Sequence, residues 1–355
     1  MKKKILILAT TPFLHDGLTK IEMDVYERYK TDADFEFASS FGFDNDICRK
    51  IKEEQVPIHI LKKKSTVIPY MKSIYQLVKS KGYDAVYING NSAMMILEAL
   101  PARLAGKGKI ITHCHNTKSD YPIIHYAIKP VFNLLLDSKI GCSSLAAKWA
   151  FCGKNIEVIP NGIDVNRFRF NMDDRTLIRQ ELGYNDETVI GHIGRFSNQK
   201  NHQRIIDIFC EYKKHDANAK LVLIGEGENK AAVQKQTDNR GLSKDVKFID
   251  YTSAPEKYLS AMDVMLMPSL FEGLCLVALE AQANGLPLVI SDNISPETVV
   301  TGYVNQLSLK QADETWARAI EHYANLKGHQ VVTMDALTTL NWDSMMERLG
   351  EIILG

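Results

Sequence analysis

Apolar runs of strand length recur along the chain, at residues 5–9, 35–38, 58–61, 85–88, 109–113 and 156–159. Segments with helical spacing lie between them, with Ile74, Leu77 and Val78 in one and Met94, Ile96, Leu97 and Leu100 in another. This alternation predicts a parallel sheet with helices on both faces. A second series starts at residues 189–193 and continues at 221–224, 246–249, 264–267 and 288–290. The chain therefore reads as two doubly wound α/β units, joined at the turn-rich PNGID of residues 160–164. Residues 312–326 and 342–354 have a helical pattern. The expected domains are residues 1–164 and 165–335, with residues 336–355 a C-terminal helix that packs back on the first.

Ligands of doubly wound sheets lie beyond the carboxyl ends of the strands, so the loops there hold the candidate chemistry. The chain is organised around residues 268–292, PSLFEGLCLVALEAQANGLPLVISD. A turn carries Glu272 and Gly273, an apolar helical run contains Glu280, and Asn284-Gly285 closes the helix. A helix that begins at Gly273 turns the free NH groups of Gly273, Leu274 and Cys275 outward with a partial positive charge, which suits an anionic or oxygen-rich ligand. Glu272 can accept hydrogen bonds from that ligand. Glu280 needs a donor in so apolar a run, either ligand hydroxyls or a Lys or Arg of the core.

Other strand-end loops add to this set. Residues 191–202, GHIGRFSNQKNH, place Arg195 at a strand end and Lys200 at the start of the next helix, where both cations can converge on one anion, in outline a diphosphate site. Gly225, in GEG, opens a turn that lets a flat ring or a ribose approach the backbone. Residues 109–117 bring His113, His115 and Asn116 to a strand end, with both imidazoles on the same side. No carboxylate or cysteine stands at metal-ligand spacing, so a hydroxyl-facing or acid/base role for one histidine is the better reading. The first loop, residues 10–17, lacks GxGxxG, which argues against a dinucleotide enzyme. Gly17 could open a loop over a ligand.

A chain of 355 residues, 45% hydrophobic and 24% charged, can bury two cores and has the make-up of an ordinary globular protein. No apolar run reaches the roughly 20 residues of a membrane span. MKKKILILATTPF reads as a first buried strand rather than a signal peptide, because its apolar part is short and no small-residue cleavage site follows. Six scattered cysteines without a CxxC pair point to a reducing cytoplasm, with neither a disulfide framework nor a zinc site. The formal net charge of zero argues against nucleic acid as the main partner. The charge is uneven: residues 1–165 carry 23 basic and 17 acidic side chains, and the remainder 20 and 26. The basic half is either a solvated face or a surface that rests on anionic lipid headgroups.

Taken together, VIPNGID at 158–164, GRFSNQKN at 194–201, GEGE at 225–228 and the Glu272-to-Glu280 spacing resemble the retaining glycosyltransferases of family 4, which have the GT-B fold. The ITHCHN and SLFEGL stretches look most like the capsule and exopolysaccharide transferases of bacteria. The resemblance implies two Rossmann-like domains facing a central cleft, and no metal or other cofactor. It also implies a UDP-sugar donor and a saccharide acceptor, carried on a polyprenyl diphosphate at the inner face of the cell membrane. Arg195 and Lys200 would then hold the donor diphosphate as it leaves, and Glu280 the ribose hydroxyls. Glu272 with the NH groups of Gly273, Leu274 and Cys275 would hold the donor sugar, His115 would lie near sugar and acceptor, and Gly17 and Asn116 would border the acceptor. Cys275 stands where the family commonly has Pro or Gly, and Gly17 is single where it often has a pair. The rival readings are a nucleotide-sugar epimerase of the same fold, which would consume donor without an acceptor, and a catalytically silent binding subunit.

Overall fold

A computed structural model of the protein describes residues 2–14, 17–119, 121–326, 328–332 and 341–355. The chain divides into two compact units, residues 1–161 with 343–355 and residues 162–342. The expected boundary at residue 335 lies outside the described residues, as do His15 and Asp16 of the first loop.

The first unit runs β1 (Lys3–Ala9), α1 (Gly17–Tyr29), β2 (Ala33–Ser39), α2 (Asn45–Glu53), β3 (Ile58–Ile60), α3 (Val67–Lys81), β4 (Ala85–Gly90), α4 (Ile96–Ala105), β5 (Lys109–Cys114), α5 (Pro122–Leu134), β6 (Ser138–Gly141), α6 (Ser144–Ala150) and β7 (Ile156–Val158). Its seven strands are parallel, in the order β3-β2-β1-β4-β5-β6-β7. Strand β1 is central, and Ile5, Leu6, Ile7 and Leu8 are fully buried, as a strand covered on both faces must be. The last helix of the chain joins this unit: Tyr29 Oη donates to the Met346 carbonyl at 2.5 Å, and Arg348 pairs with Glu157 at 2.7 Å.

The second unit runs α7 (Met172–Leu182), β8 (Val189–Ile193), α8 (His202–Tyr212), β9 (Lys220–Ile224), α9 (Lys230–Asn239), β10 (Val246–Ile249), α10 (Pro255–Ala261), β11 (Val264–Met267), α11 (Leu276–Ala283), β12 (Leu288–Ser291), β13 (Val304–Leu307) and α12 (Asp313–Ala324), and the chain closes with α13 (Trp342–Leu354). Its six parallel strands lie in the order β10-β9-β8-β11-β12-β13. Ile205, Phe209, Leu221, Leu223, Val264, Leu266, Trp316 and Ile320 form its core.

The apolar runs coincide with strands, whereas β6 and β13 fall where no run was expected. Ser138 and Lys139 interrupt the first and Asn305 and Gln306 the second, so neither presents a continuous apolar signal. In both sheets the strand order reverses between neighbouring strands, β1 with β4 and β8 with β11. Loops leaving such a pair diverge and open a crevice at the carboxyl edge.

Candidate functional site

In the second unit the crevice lies between the loop after β8, residues 194–201, and the loop after β11, residues 268–275. These loops are fastened to each other. Leu270 N donates to the Gln199 carbonyl at 2.8 Å, Asn201 Nδ2 to the Pro268 carbonyl at 3.0 Å, and Gln199 Nε2 to the Phe271 carbonyl at 3.0 Å. The fastening ends in a charged knot. Lys200 Nζ lies 2.5 Å from Glu272 Oε1, and Gln199 Nε2 lies 3.1 Å from Glu272 Oε2. The two charged side chains are only 17% and 10% exposed.

The electrostatics keep Lys200 cationic. Burial by itself would lower its pKa, but Cys275, which ionises before Lys200 does as pH rises, and the Glu272 carboxylate outweigh burial and hold it above the usual lysine range. Burial also pushes the Cys275 thiol up to about 11, so near neutral pH this thiol is uncharged and Glu272 supplies the counter-charge. Cys275 Sγ is 3.9 Å from Lys200 Nζ.

Arg195 is separate from this knot. It is half exposed and pairs with Glu228 at 3.2 Å, so the structure holds the two expected cations in two ion pairs rather than against each other. Its loop is shaped by a neighbouring turn: Gly194 N donates to the Ile224 carbonyl and Phe196 N to the Glu226 carbonyl. This pairing explains the glycines of GEGE. Gly225 has φ +145°, and a Cβ there would lie 2.2 Å from the Gly194 carbonyl oxygen; at Gly227, φ +148°, the corresponding gap to the Phe196 oxygen is 2.6 Å. The bare backbone at Gly225 thus serves the close approach of the segment 194–196.

The helix after Glu272 differs from expectation. Helix α11 starts at Leu276, with Cys275 at the N-cap in an extended conformation, and not at Gly273. Glu272 is held in a bridge with Ile294, and its NH donates to the Asn293 carbonyl at 3.3 Å, so the chain stays extended before it can coil. Gly273, Leu274 and Cys275 form the bend ahead of the helix, and Cys275 N faces Thr298 Oγ1 at 3.5 Å. Glu280 lies within α11 and is buried.

In the first unit, the end of β5 and the residue that follows it carry a second cluster. His113 and His115 lie on the same side, with ring centroids 3.9 Å apart. His113 Nδ1 is 2.9 Å from the Tyr87 hydroxyl, and His115 Nε2 donates to Asn89 Oδ1 at 3.0 Å. Burial depresses both imidazoles: His115 falls to about 3, and His113 also lies well below its usual value through burial and the proximity of His115. Both are neutral near pH 7. Asn116 is buried, and its Oδ1 accepts from Thr117 N at 2.8 Å, which fixes the chain as it leaves the strand. Gly17 is the first residue of α1.

The sequence reading missed Gln199, Glu228, Tyr87 and Asn89. Gln199 and Glu228 stood inside the GRFSNQKN and GEGE stretches and could have been marked as polar neighbours of the cations. Asn89 and Tyr87 gave no such signal, because strand pairing alone brings β4 beside β5. Among the described residues no group of three or more His, Cys, Asp or Glu side chains is placed to hold a metal ion.

Comparison with known proteins bears on both units. Residues 173–331 match the family of glycosyl transferases group 1. EpsF of Bacillus subtilis, assigned as a glycosyltransferase, is 30% identical over 276 residues, 73% of this chain and 71% of that protein. The UDP-Gal:alpha-D-GlcNAc-diphosphoundecaprenol alpha-1,3-galactosyltransferase of Escherichia coli is 30% identical over 241 residues, 62% of this chain and 60% of that one. Among solved structures, Anabaena HepE in complex with UDP and glucose superposes with a TM-score of 0.80 at 17% identity, covering 99% of both chains, a likeness in fold alone.

Proposed function

The chain belongs to the group 1 glycosyl transferases and has their GT-B fold, and on that premise we propose that it moves a hexose from a UDP-sugar to a lipid-linked saccharide acceptor, with retention of the anomeric configuration. The observation that carries the proposal is the knot of Lys200, Gln199 and Glu272 at the switch between β8 and β11, with Arg195 on the same loop. A fixed cation beside a carboxylate suits a ligand that is anionic at one end and rich in hydroxyls at the other. UDP is favoured because it is the nucleotide named for the E. coli relative and bound by HepE.

The chemistry follows from charge. As the bond from the anomeric carbon to the diphosphate oxygen breaks, positive charge grows on the ring and negative charge on the leaving oxygen. Lys200 and Arg195 stabilise that oxygen, and because Lys200 is already held in place it need not reorganise as charge develops. Glu272 keeps Lys200 on one oxygen and accepts from sugar hydroxyls with its remaining lone pairs. Glu280 accepts from the ribose. The acceptor oxygen forms its bond to the anomeric carbon on the face the diphosphate leaves, and its proton passes to a diphosphate oxygen. His115, neutral and already donating to Asn89, orients hydroxyls by hydrogen bonding; a group with a pKa of about 3 is a poor base at neutral pH.

The test is product analysis. The protein is incubated with a panel of UDP-hexoses and lipid-linked acceptors, and the anomeric proton of the product is read by NMR. An α-linked product from an α-linked donor is expected. A β-linked product refutes retention, and donor conversion without any acceptor places the chain among epimerases.

A further inference from the structure

Two adjacent strands of the first unit place polar side chains on one face at their carboxyl ends. Asn89 of β4 and His113 of β5 are register partners, and the alternation of side chains along a strand puts Tyr87 and His115 on the same face. Each contact crosses from one strand to the other: Tyr87 Oη lies 2.9 Å from His113 Nδ1, and Asn89 Oδ1 lies 3.0 Å from His115 Nε2. The backbone beneath is fixed. Asn89 also pairs with Ala9 of β1, its carbonyl accepts from Thr10 Oγ1 at 2.7 Å, and the Gly90 carbonyl accepts from His115 N at 3.0 Å.

Asn89 is a poor choice for stability alone. It is fully buried in a strand that also holds Val86 and Ile88, and its Nδ2 has no hydrogen-bond partner. A buried amide left half unpaired weakens a fold, so its presence here calls for another reason. That reason is the ring beside it. A carboxamide oxygen only accepts, so the bond from His115 places the ring proton on Nε2 and leaves a lone pair on Nδ1. His115 is half-buried, and its Nδ1 has no partner among the described residues; unlike His113 Nε2, it is not sealed from solvent. The His113 ring packs against His115 with centroids 3.9 Å apart. The titratable neighbours are His113, Tyr87 and, acting on Tyr87 from α1, Glu22; burial together with Glu22 keeps the Tyr87 phenol protonated.

We infer that Asn89 is a positioning residue: it fixes His115 in the tautomer protonated on Nε2, so that the Nδ1 lone pair accepts a hydrogen bond from a hydroxyl of the hexose or of the saccharide acceptor. The inference rests on the transferase reading above and gives His115 a direction within it, accepting rather than donating toward the substrate. Without Asn89 the proton can sit on either nitrogen and the ring is free to turn.

Asn89→Leu and Asn89→Asp test it. In nitrogen-15 histidine spectra of the full chain, with the His115 signals identified by their absence from His115→Asn, wild type should show Nε2 protonated and Nδ1 bare from pH 6 to pH 8. Asn89→Leu should show both tautomers, keep or raise the melting temperature, leave UDP binding unchanged, and lower kcat/KM of hexose transfer at least about tenfold, chiefly through kcat. Asn89→Asp keeps the accepting oxygen and should keep the tautomer. Its carboxylate favours the imidazolium, which has no lone pair, so its activity should fall as pH drops from 8 to 5 over a range where His115 stays neutral in wild type. If hydrolysis of the UDP-hexose in water falls along with transfer, the hydroxyl belongs to the hexose; if transfer alone falls, it belongs to the acceptor. Wild-type His115 protonated on Nδ1, or Asn89→Leu with the tautomer and kcat/KM of wild type, overturns the assignment. A wild type that neither transfers nor hydrolyses any UDP-hexose refutes the proposed function, and the spectra then decide the role of Asn89 by themselves.

Discussion

Replacing Lys200 by alanine tests the knot at its centre. The substitution removes the cation 2.5 Å from Glu272 and leaves a carboxylate that is 10% exposed with Gln199 Nε2 as its remaining side-chain donor. Stranding one partner of a fully buried pair costs about 3–5 kcal/mol. Residual solvent and the bond from Gln199 reduce this to about 2–3 kcal/mol, a fall of roughly 4–12 °C in melting temperature for a unit of this size. Denaturation followed by tryptophan fluorescence reads it, since Trp316 is wholly buried in the second unit. Because the pKa of Lys200 is raised above 10.5 in the folded state, its contribution is fully present below that value and is lost only as pH rises through the folded pKa. The deficit of the variant should therefore be constant from pH 6 to pH 9. A cycle with Glu272→Gln should return a coupling of about 2 kcal/mol. Additive single effects, or a loss below about 0.5 kcal/mol, would refute the view that this pair is a structural tie.

Three further outcomes follow from the same geometry. Arg195→Ala should leave stability within about 0.5 kcal/mol of wild type, since its pair with Glu228 is exposed, yet weaken UDP binding about 10- to 100-fold by calorimetry. Gly225→Ala forces a Cβ to 2.2 Å from the Gly194 oxygen at a φ that L-residues avoid, and should lower the melting temperature and UDP affinity together. Burial depresses His192 to about 3 and His202 to about 2, so the unfolded chain binds protons there that the folded one does not. Stability of the second unit should consequently fall as pH drops below 6.5, by up to about 1.4 kcal/mol per pH unit for each histidine, and His202→Phe should flatten that slope in a denaturation series from pH 7 to pH 4.

The strands that build both crevices were legible because burial on two faces writes a continuous apolar run, as at residues 5–9 and 221–224. Strand β13 was not, since Asn305 and Gln306 lie in a half-buried edge strand. The candidate cations and carboxylates were legible as residue types at strand ends. Their pairing was not: Lys200 meets Glu272 across 72 residues and Arg195 meets Glu228 across 33, distances over which no local pattern extends. The start of α11 was misplaced for a related reason, because the bridge from Glu272 to Ile294 overrides the local tendency of GLCLVALEA to coil from its first residue.

The central claim is that Lys200 and Arg195 hold the diphosphate of a nucleotide donor beside Glu272. Calorimetric titration with UDP of the wild type, Lys200→Ala and Arg195→Ala, at a temperature well below every melting point, tests it most directly. One UDP should bind per wild-type chain, and each substitution should weaken binding about 10- to 100-fold. Equal UDP affinity in all three proteins, or no UDP binding by the wild type, would contradict the account.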